Sequence, residues 1–269
     1  MITDVGIAGS GLMGSALATI NLQAGYNLVI FDMKKSQLSK TQSKLNKITD
    51  ELYQGATVKY TDDISSMKNC NLIIECLTED ENIKSNFYKK IEENCTKESI
   101  IATNTSSISI NRLAENLQFP ARFLGLHFMN PPQVIKFVEI INHESLDKRI
   151  LGEIKQYLRV MEMISIECND KPGFVVNRVL LPMINEAIYC YENGTSDAKS
   201  IDTALKVGAN HPMGPLELAD FIGLDTCLFI LKVLQEDFND LKYKPCPLLE
   251  EYVRLGKLGK KTKEGFYKY

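Results

Sequence analysis

Short apolar runs alternate with stretches of helical spacing through the first half of the chain. Residues 5–8, 28–31, 72–74, 99–102 and 123–126 have the length and composition of buried strands. Between them, residues 15–22 are small and helix-compatible, and residues 83–91 have the spacing of an amphipathic helix. That rhythm predicts a parallel sheet with helices on its faces. The pattern changes after residues 138–141. A helical segment at 150–161 leads to a β-prone run at 164–166 and then to the turn signal Asn169-Asp170-Lys171-Pro172-Gly173. Beyond it every periodic segment is helical: 174–191, 200–208, 216–223, 225–238 and 248–255. Pro182 inside the first of these predicts a kink or a restart, and Asn193-Gly194 a C-terminal cap. The expectation is an α/β domain over residues 1–170 and an all-helical domain over residues 171–269.

Composition narrows the class without naming a function. The 269 residues are 44% hydrophobic and 24% charged, as a folded globular chain should be and a disordered one is not. No run approaches the roughly 18 apolar residues of a membrane helix. The net charge is −3, with 31 basic against 34 acidic residues, so there is no broad basic footprint for nucleic acid. The seven cysteines include no CxxC pair, which argues against a metal centre or disulfide scaffold and for reduced thiols packed as small hydrophobes. Met1 leads almost at once into the first strand, with no signal or transit pattern, so the expected location is cytoplasmic.

The first chemical signal is Gly9-Ser10-Gly11-Leu12-Met13-Gly14, a GxGxxG turn between a strand and a helix-compatible run. Gly9 permits the tight turn, Gly11 lets a diphosphate approach the backbone, and Gly14 allows close helix–strand packing. The helix N-terminus then offers N–H groups and a positive dipole end. Asp32 follows the next strand, where it can accept hydrogen bonds from both ribose hydroxyls and repel a 2′-phosphate. Together these predict a Rossmann-type dinucleotide-binding domain and NAD rather than NADP, a preference that Lys34 and Lys35 soften. The plainer alternative is a glycine turn with an unrelated surface Asp. Lysines along residues 34–47 read as a solvated helix face.

Of the three histidines, His127 lies just after a predicted strand, in Gly125-Leu126-His127-Phe128-Met129-Asn130-Pro131-Pro132. Ligands in open α/β sheets bind beyond the carboxyl ends of strands, and a histidine there can take a proton near neutral pH. Glu139 closes the next apolar run, residues 134–138, and can lie alongside to fix the tautomer and favour the imidazolium. A lone histidine is otherwise more often structural. His211 reads as structural and His143 as surface.

Taken together, these segments resemble the 3-hydroxyacyl-CoA dehydrogenase family, in particular its short bacterial 3-hydroxybutyryl-CoA dehydrogenases. The resemblance covers nearly the whole chain. It rests on the glycine fingerprint, Thr103-Asn104-Thr105-Ser106-Ser107, Leu126-His127-Phe128-Met129-Asn130-Pro131, Pro172-Gly173-Phe174-Val175-Val176-Asn177-Arg178, Gly208-Ala209-Asn210-His211-Pro212-Met213-Gly214-Pro215 and the C-terminal Gly259-Lys260-Lys261-Thr262 with Gly265-Phe266-Tyr267. It implies NAD-dependent interconversion of a 3-hydroxyacyl and a 3-ketoacyl thioester in fatty acid metabolism. His127 is then the general base, Glu139 its carboxylate partner, and Ser106 and Asn177 the residues that hold the reacting oxygens. For the cofactor it implies Gly9, Gly11, Leu12, Met13, Gly14 and Asp32, joined by Glu79, Lys84, Asn104, Ser106, Asn130 and Lys261. Read without the family, Ser106-Ser107 is an ordinary turn, Asn177 a polar residue in an apolar helix, and Glu79 and Lys84 solvated charges. The resemblance further implies an active site between the domains, and a homodimer formed through the helical one.

One segment departs from the family. Between Asp32 and Glu75 the chain is shorter than its relatives, which carry there a projecting helical hairpin that helps hold the CoA nucleotide. Here residues 34–47 predict one helix, broken at Tyr53-Gln54-Gly55. The carrier therefore stays open. The substrate is an acyl-CoA, most directly 3-hydroxybutyryl-CoA, or alternatively an acyl group on an acyl carrier protein, of the polyketide extender-unit type, or another 3-hydroxy acid.

Overall fold

The computed structural model describes residues 1–47 and 55–269. Its contacts divide it into two units, Met1–Lys171 and Pro172–Tyr269. In chain order the first holds β1 (Asp4–Ala8), α1 (Leu12–Gln23), β2 (Asn27–Phe31), α2 (Lys35–Leu45), β3 (Val58–Thr61), β4 (Leu72–Glu75), α3 (Glu81–Asn94), β5 (Ile100–Thr103), α4 (Ile110–Ala114), β6 (Phe123–Phe128), β7 (Phe137–Asn142), α5 (Lys148–Val160) and β8 (Ile164–Asn169). The strands form one sheet in the order β3-β2-β1-β4-β5-β6-β7-β8. All neighbours are parallel except β6 and β7. The link from Met129 to Lys136 is too short for a crossover helix, so β7 returns antiparallel, and α5 then carries the chain back to a parallel β8.

Alternation along the strands sorts the core onto two faces. Ile7, Ile74, Ala102 and Leu124 share a cluster with Leu17 of α1 and Ile154, Tyr157 and Leu158 of α5. Across α1 and α5 the Tyr157 hydroxyl donates to Asn21 Oδ1 at 2.6 Å. The opposite face carries a chain of ring contacts from Phe31 through Phe87 and Tyr88 to Phe123, which seats α3. Covered on both sides, β4, β5 and β6 are buried at every residue, which is why they read as plain apolar runs.

The second unit is α6 (Val176–Glu192), α7 (Ala198–Thr203), a π-helical turn (Ala204–Gly208), α8 (Pro215–Ile222), α9 (Leu224–Phe238) and α10 (Pro247–Arg254). Leu181, Ile184, Ile188, Leu216, Leu231 and Leu234 centre its core. A C-terminal hook closes it through bridges from Glu264 to Gly259 and Lys268.

Three differences from the sequence reading have physical causes. β3 was not anticipated, because Val-Lys-Tyr-Thr is too short and too polar to stand out as an edge strand. Residues 134–136 are not strand: Val134 and Ile135 turn back onto the Pro131 carbonyl and are exposed, so Glu139 sits inside β7 rather than at its end. Pro182 neither ends nor restarts a helix. α6 runs through it, and the loss of one N–H is outweighed by burial of Leu181, Ile184 and Ile188 on either side. Tyr53 and Gln54, where a break was expected after α2, lie outside the described residues, as do residues 48–52 of the segment expected to be a shortened hairpin, while the single helix expected over 34–47 is α2.

Candidate active site at the carboxyl ends of the strands

The glycine fingerprint forms the turn from β1 into α1. Gly9 has φ +94°, and a Cβ there would lie 2.6 Å from the Cys76 carbonyl oxygen. A Cβ on Gly14 would lie 1.8 Å from the Gly9 carbonyl, so this approach of helix to turn admits hydrogen alone. Gly11 differs from both, since a Cβ there would meet nothing within 4 Å. It is the N-cap of α1, with no side chain capping the helix. An open approach to an uncapped helix N-terminus fits a diphosphate. Asp32 follows β2, and its Oδ2 accepts from the Ser10 N–H and hydroxyl, both at 2.8 Å, while Oδ1 accepts from the Lys34 N–H at 2.8 Å. A carboxylate has about four lone-pair positions. One remains, so accepting from both ribose hydroxyls, as the sequence suggested, requires the Ser10 hydroxyl to rotate away. Lys35 is paired with Asp62 at 3.3 Å.

His127 and Glu139 face each other across the antiparallel pair of β6 and β7. The histidine Nδ1 and Glu139 Oε2 are 2.7 Å apart, with His127 at 7% exposure and Glu139 at 0%. Two residues along on the same face, Gly125 opposes Ile141, and a Cβ on Gly125 would sit 2.8 Å from the Ile141 Cβ. The missing side chain lets the strands close where the pair sits. When the carboxylate accepts from Nδ1–H, the ring's lone pair lies on Nε2.

Asn104, Ser106 and Glu79 meet on the adjoining loops. Asn104 Oδ1 accepts from the Phe128 N–H at 3.0 Å, tying the end of β5 to the strand that carries His127. Glu79 Oε1 accepts from the Thr105 hydroxyl, the Ser106 and Ser107 N–H groups and the Ser107 hydroxyl. Its Oε2 lies 3.4 Å from Lys84 Nζ. Burial would raise its carboxyl, but the Lys84 charge and these donors outweigh that and hold it below its ordinary value. Glu79 stays partly open to solvent although its carboxylate is tied down, whereas Lys84 is not the solvated charge that the bare sequence implied. Lys84 is 1% exposed, and its ammonium is committed to Glu79 and to Glu75.

Asn130 is exposed on the loop after β6, and Leu12 is exposed at the start of α1 beside half-buried Met13. In the second unit Asn177 lies half-buried in the first turn of α6. Lys261 sits on the C-terminal hook, its ammonium held by both Asp225 oxygens. The hook is anchored by Asp220, whose carboxylate accepts from the Phe266 and Tyr267 N–H groups and the Tyr269 hydroxyl. Burial pushes the Asp220 carboxyl up, against those donors.

Other readings change. His143 is not on the surface: it is buried, with Nε2 bonding the Phe123 and Pro120 carbonyls. The cysteines are all free, although Cys76, Cys95, Cys168 and Cys190 are half-buried rather than core, and burial pushes Cys70, Cys168 and Cys227 up to about 12. Among the described residues no helix is long and apolar enough to cross a membrane, and no group of three acidic, His or Cys side chains is placed to hold a metal ion. Glu75 escaped the sequence reading. Its signal was a carboxylate closing an otherwise apolar central strand, level with Ala8 and Thr103 at the end where ligands bind.

Two family models match the chain: 3-hydroxyacyl-CoA dehydrogenase, NAD binding domain, over residues 4–171, and 3-hydroxyacyl-CoA dehydrogenase, C-terminal domain, over residues 173–269. The 3-hydroxybutyryl-CoA dehydrogenase of Bradyrhizobium diazoefficiens is 41% identical, covering 100% of this chain and 96% of its own. The enzyme of that name from Clostridioides difficile is 38% identical, covering 98% of each. The crystal structure of (S)-3-hydroxybutyryl-CoA dehydrogenase PaaH1 from Ralstonia eutropha superposes with a TM-score of 0.95 at 36% identity, covering 100% of this chain and 99% of that one.

Proposed function

The chain belongs to the 3-hydroxyacyl-CoA dehydrogenase family of NAD-dependent enzymes, and from that premise we propose that it interconverts a short-chain 3-hydroxyacyl-CoA and the 3-ketoacyl-CoA, with 3-hydroxybutyryl-CoA as its first substrate. The names of the full-length relatives support that choice of acyl group. The observation that carries the reading is the buried His127–Glu139 pair at the carboxyl end of β6.

In the oxidative direction His127 Nε2 takes the proton of the 3-hydroxyl group. Glu139 keeps Nδ1–H in place and offsets the positive charge that appears on the ring. In the reductive direction the imidazolium returns its proton to the ketone oxygen. Ser106 and Asn177 hold the reacting oxygen and steady its developing charge. The Gly9–Gly14 turn holds the diphosphate, with Leu12 and Met13 opening the helix, and Asp32 takes a ribose hydroxyl. Asn104, Asn130, Glu79 and Lys261 shape the nicotinamide end. Bound NAD would take the hydride that leaves the substrate's C3, or return it in the reverse direction.

The test is NADH consumption with acetoacetyl-CoA, run beside NADPH and an acetoacetyl thioester on an acyl carrier protein. Faster turnover of the CoA thioester with NADH supports the proposal. Turnover confined to the carrier-protein thioester replaces CoA as the carrier, and none with either, in protein that binds NADH, sinks the proposed substrate class.

A further inference from the structure

The carboxylate that follows β2 already holds donors from its own chain. Asp32 Oδ2 accepts from both the N–H and the hydroxyl of Ser10, and Oδ1 accepts from the Lys34 N–H. With two lone pairs on each oxygen, Oδ2 is full and Oδ1 has one place left. The three donors differ in freedom. The Lys34 N–H is backbone at the N-cap of α2. The Ser10 N–H belongs to a backbone pinned on both sides: the Gly9 N–H donates to the Phe31 carbonyl at 2.8 Å, and the buried Thr41 hydroxyl donates to the Ser10 carbonyl at 3.0 Å. The Ser10 hydroxyl alone of the three can leave Asp32 by turning about one side-chain bond.

We propose that Ser10 is a specificity-determining residue of the cofactor site: its hydroxyl is a built-in ligand of Asp32 that the ribose must displace, so Ser10 weakens the hold on NAD(H) and speeds its release. The inference rests on the reading of Asp32 as the ribose-binding carboxylate. A diol grips a carboxylate with one hydroxyl on each oxygen. The first ribose hydroxyl meets the open place on Oδ1. The second needs Oδ2, where the Ser10 hydroxyl is the donor that can yield. One charge-assisted hydrogen bond is then exchanged for another of the same kind, so the second ribose contact adds little net affinity. Looser binding has a use, because product release limits turnover in many enzymes. The hydroxyl also acts on selectivity. A donor on Oδ2 draws off part of the carboxylate's charge, and without it Asp32 repels a 2′-phosphate more strongly. Removing that one hydroxyl should therefore favour NADH and not NADPH.

The experiment titrates the full chain, Ser10→Ala, Asp32→Asn and the Ser10→Ala/Asp32→Asn double variant with NADH and NADPH by fluorescence, and follows NADH release by stopped flow. Ser10→Ala keeps the backbone N–H and removes the hydroxyl alone. It should bind NADH roughly threefold to tenfold more tightly, mostly through slower release, and NADPH no more tightly than the parent. The gain should vanish in the double variant, which should match Asp32→Asn within about twofold. The sign separates the possible roles. A hydroxyl that touches the cofactor directly, or that steadies Asp32 for it, makes Ser10→Ala bind NADH more weakly. Weaker or parent-like binding, with Asp32→Asn impaired, overturns the proposal alone. Equal tightening of NADH and NADPH, or tightening that survives in the double variant, traces the gain to space rather than to Asp32 and also overturns it. If Asp32→Asn binds NADH like the parent, the ribose reading of Asp32 fails and takes the proposal with it. Should Ser10→Ala not fold, a crystal structure of the parent with NADH decides. A Ser10 hydroxyl turned out of hydrogen-bond reach of Asp32, with a ribose hydroxyl on Oδ2, supports the proposal, and a Ser10 hydroxyl still bonded to Oδ2 overturns it.

Discussion

The Glu139→Gln substitution removes a charge and keeps the shape, so it isolates what the carboxylate does for His127. With the ring neutral, Oε2 accepts from Nδ1–H across 2.7 Å, with the carboxylate wholly buried. A hydrogen bond to a charged group of this kind contributes about 1.5–3 kcal/mol. Once Nε2 takes the substrate proton, the same contact becomes an ion pair. At about 4 Å between charge centres and an effective dielectric near 20, the attraction is about 4 kcal/mol. Only the difference between those two states lowers the barrier, and it amounts to about 1–3 kcal/mol by this comparison. At about 1.4 kcal/mol per decade, kcat should fall by roughly fivefold to 150-fold. The amide oxygen still accepts Nδ1–H, so the tautomer survives, and NADH affinity and melting temperature should stay near those of the parent. The assay is steady-state reduction of acetoacetyl-CoA at saturating NADH, with affinity and melting measured on the same preparations. A Glu139→Gln enzyme with kcat within about twofold of the parent would refute the charge argument.

Gly14→Ala forces a methyl group to within 1.8 Å of the Gly9 carbonyl and should abolish NADH binding, while Gly11→Ala meets open space, should fold normally and should weaken NADH by blocking approach; fluorescence titration and melting curves separate the two. Lys84→Met alone strands the buried Glu75 carboxylate, which should cost about 3–5 kcal/mol, or roughly 6–20 °C in melting temperature, recovered in the Glu75→Gln/Lys84→Met variant. Glu79 is held below its ordinary value of 4.5, so its stabilising contribution is full above that value and drains as pH falls through the folded value. The melting-temperature advantage of the parent over Glu79→Gln should therefore hold above about pH 4.5 and shrink as the pH is lowered below it, and a gap that widens toward acid would contradict the assignment.

Much of this architecture was legible because the signals were local. β1, the glycine turn and α1 are contiguous, and the turn's chemistry follows from three glycines whose neighbours the structure shows to be a carbonyl, another carbonyl and open space. The buried strands declared themselves as apolar runs because both faces of the sheet are covered. What escaped depended on register or on the far face of a helix. Glu139 was expected beside His127, but the antiparallel register that brings the two together, and that a one-residue slip would undo, was not legible. Lys84 looked solvated because it is a lysine on a polar helix, yet it shares the spacing of Phe87, Tyr88 and Ile91, the buried face of α3. His143 looked like a surface residue for want of any local pattern, yet it is buried with its ring nitrogen satisfied by the Phe123 carbonyl at the start of β6 and the Pro120 carbonyl in the turn before it. β3 needed β2 beside it to become a strand at all.

The most direct test of the account sets the parent against His127→Ala in the reduction of acetoacetyl-CoA by NADH, with NADH affinity measured on both. The account predicts ready turnover by the parent and, at unchanged NADH affinity, a loss in kcat of roughly a hundredfold to ten-thousandfold in the variant. A variant that turns over like the parent would contradict it.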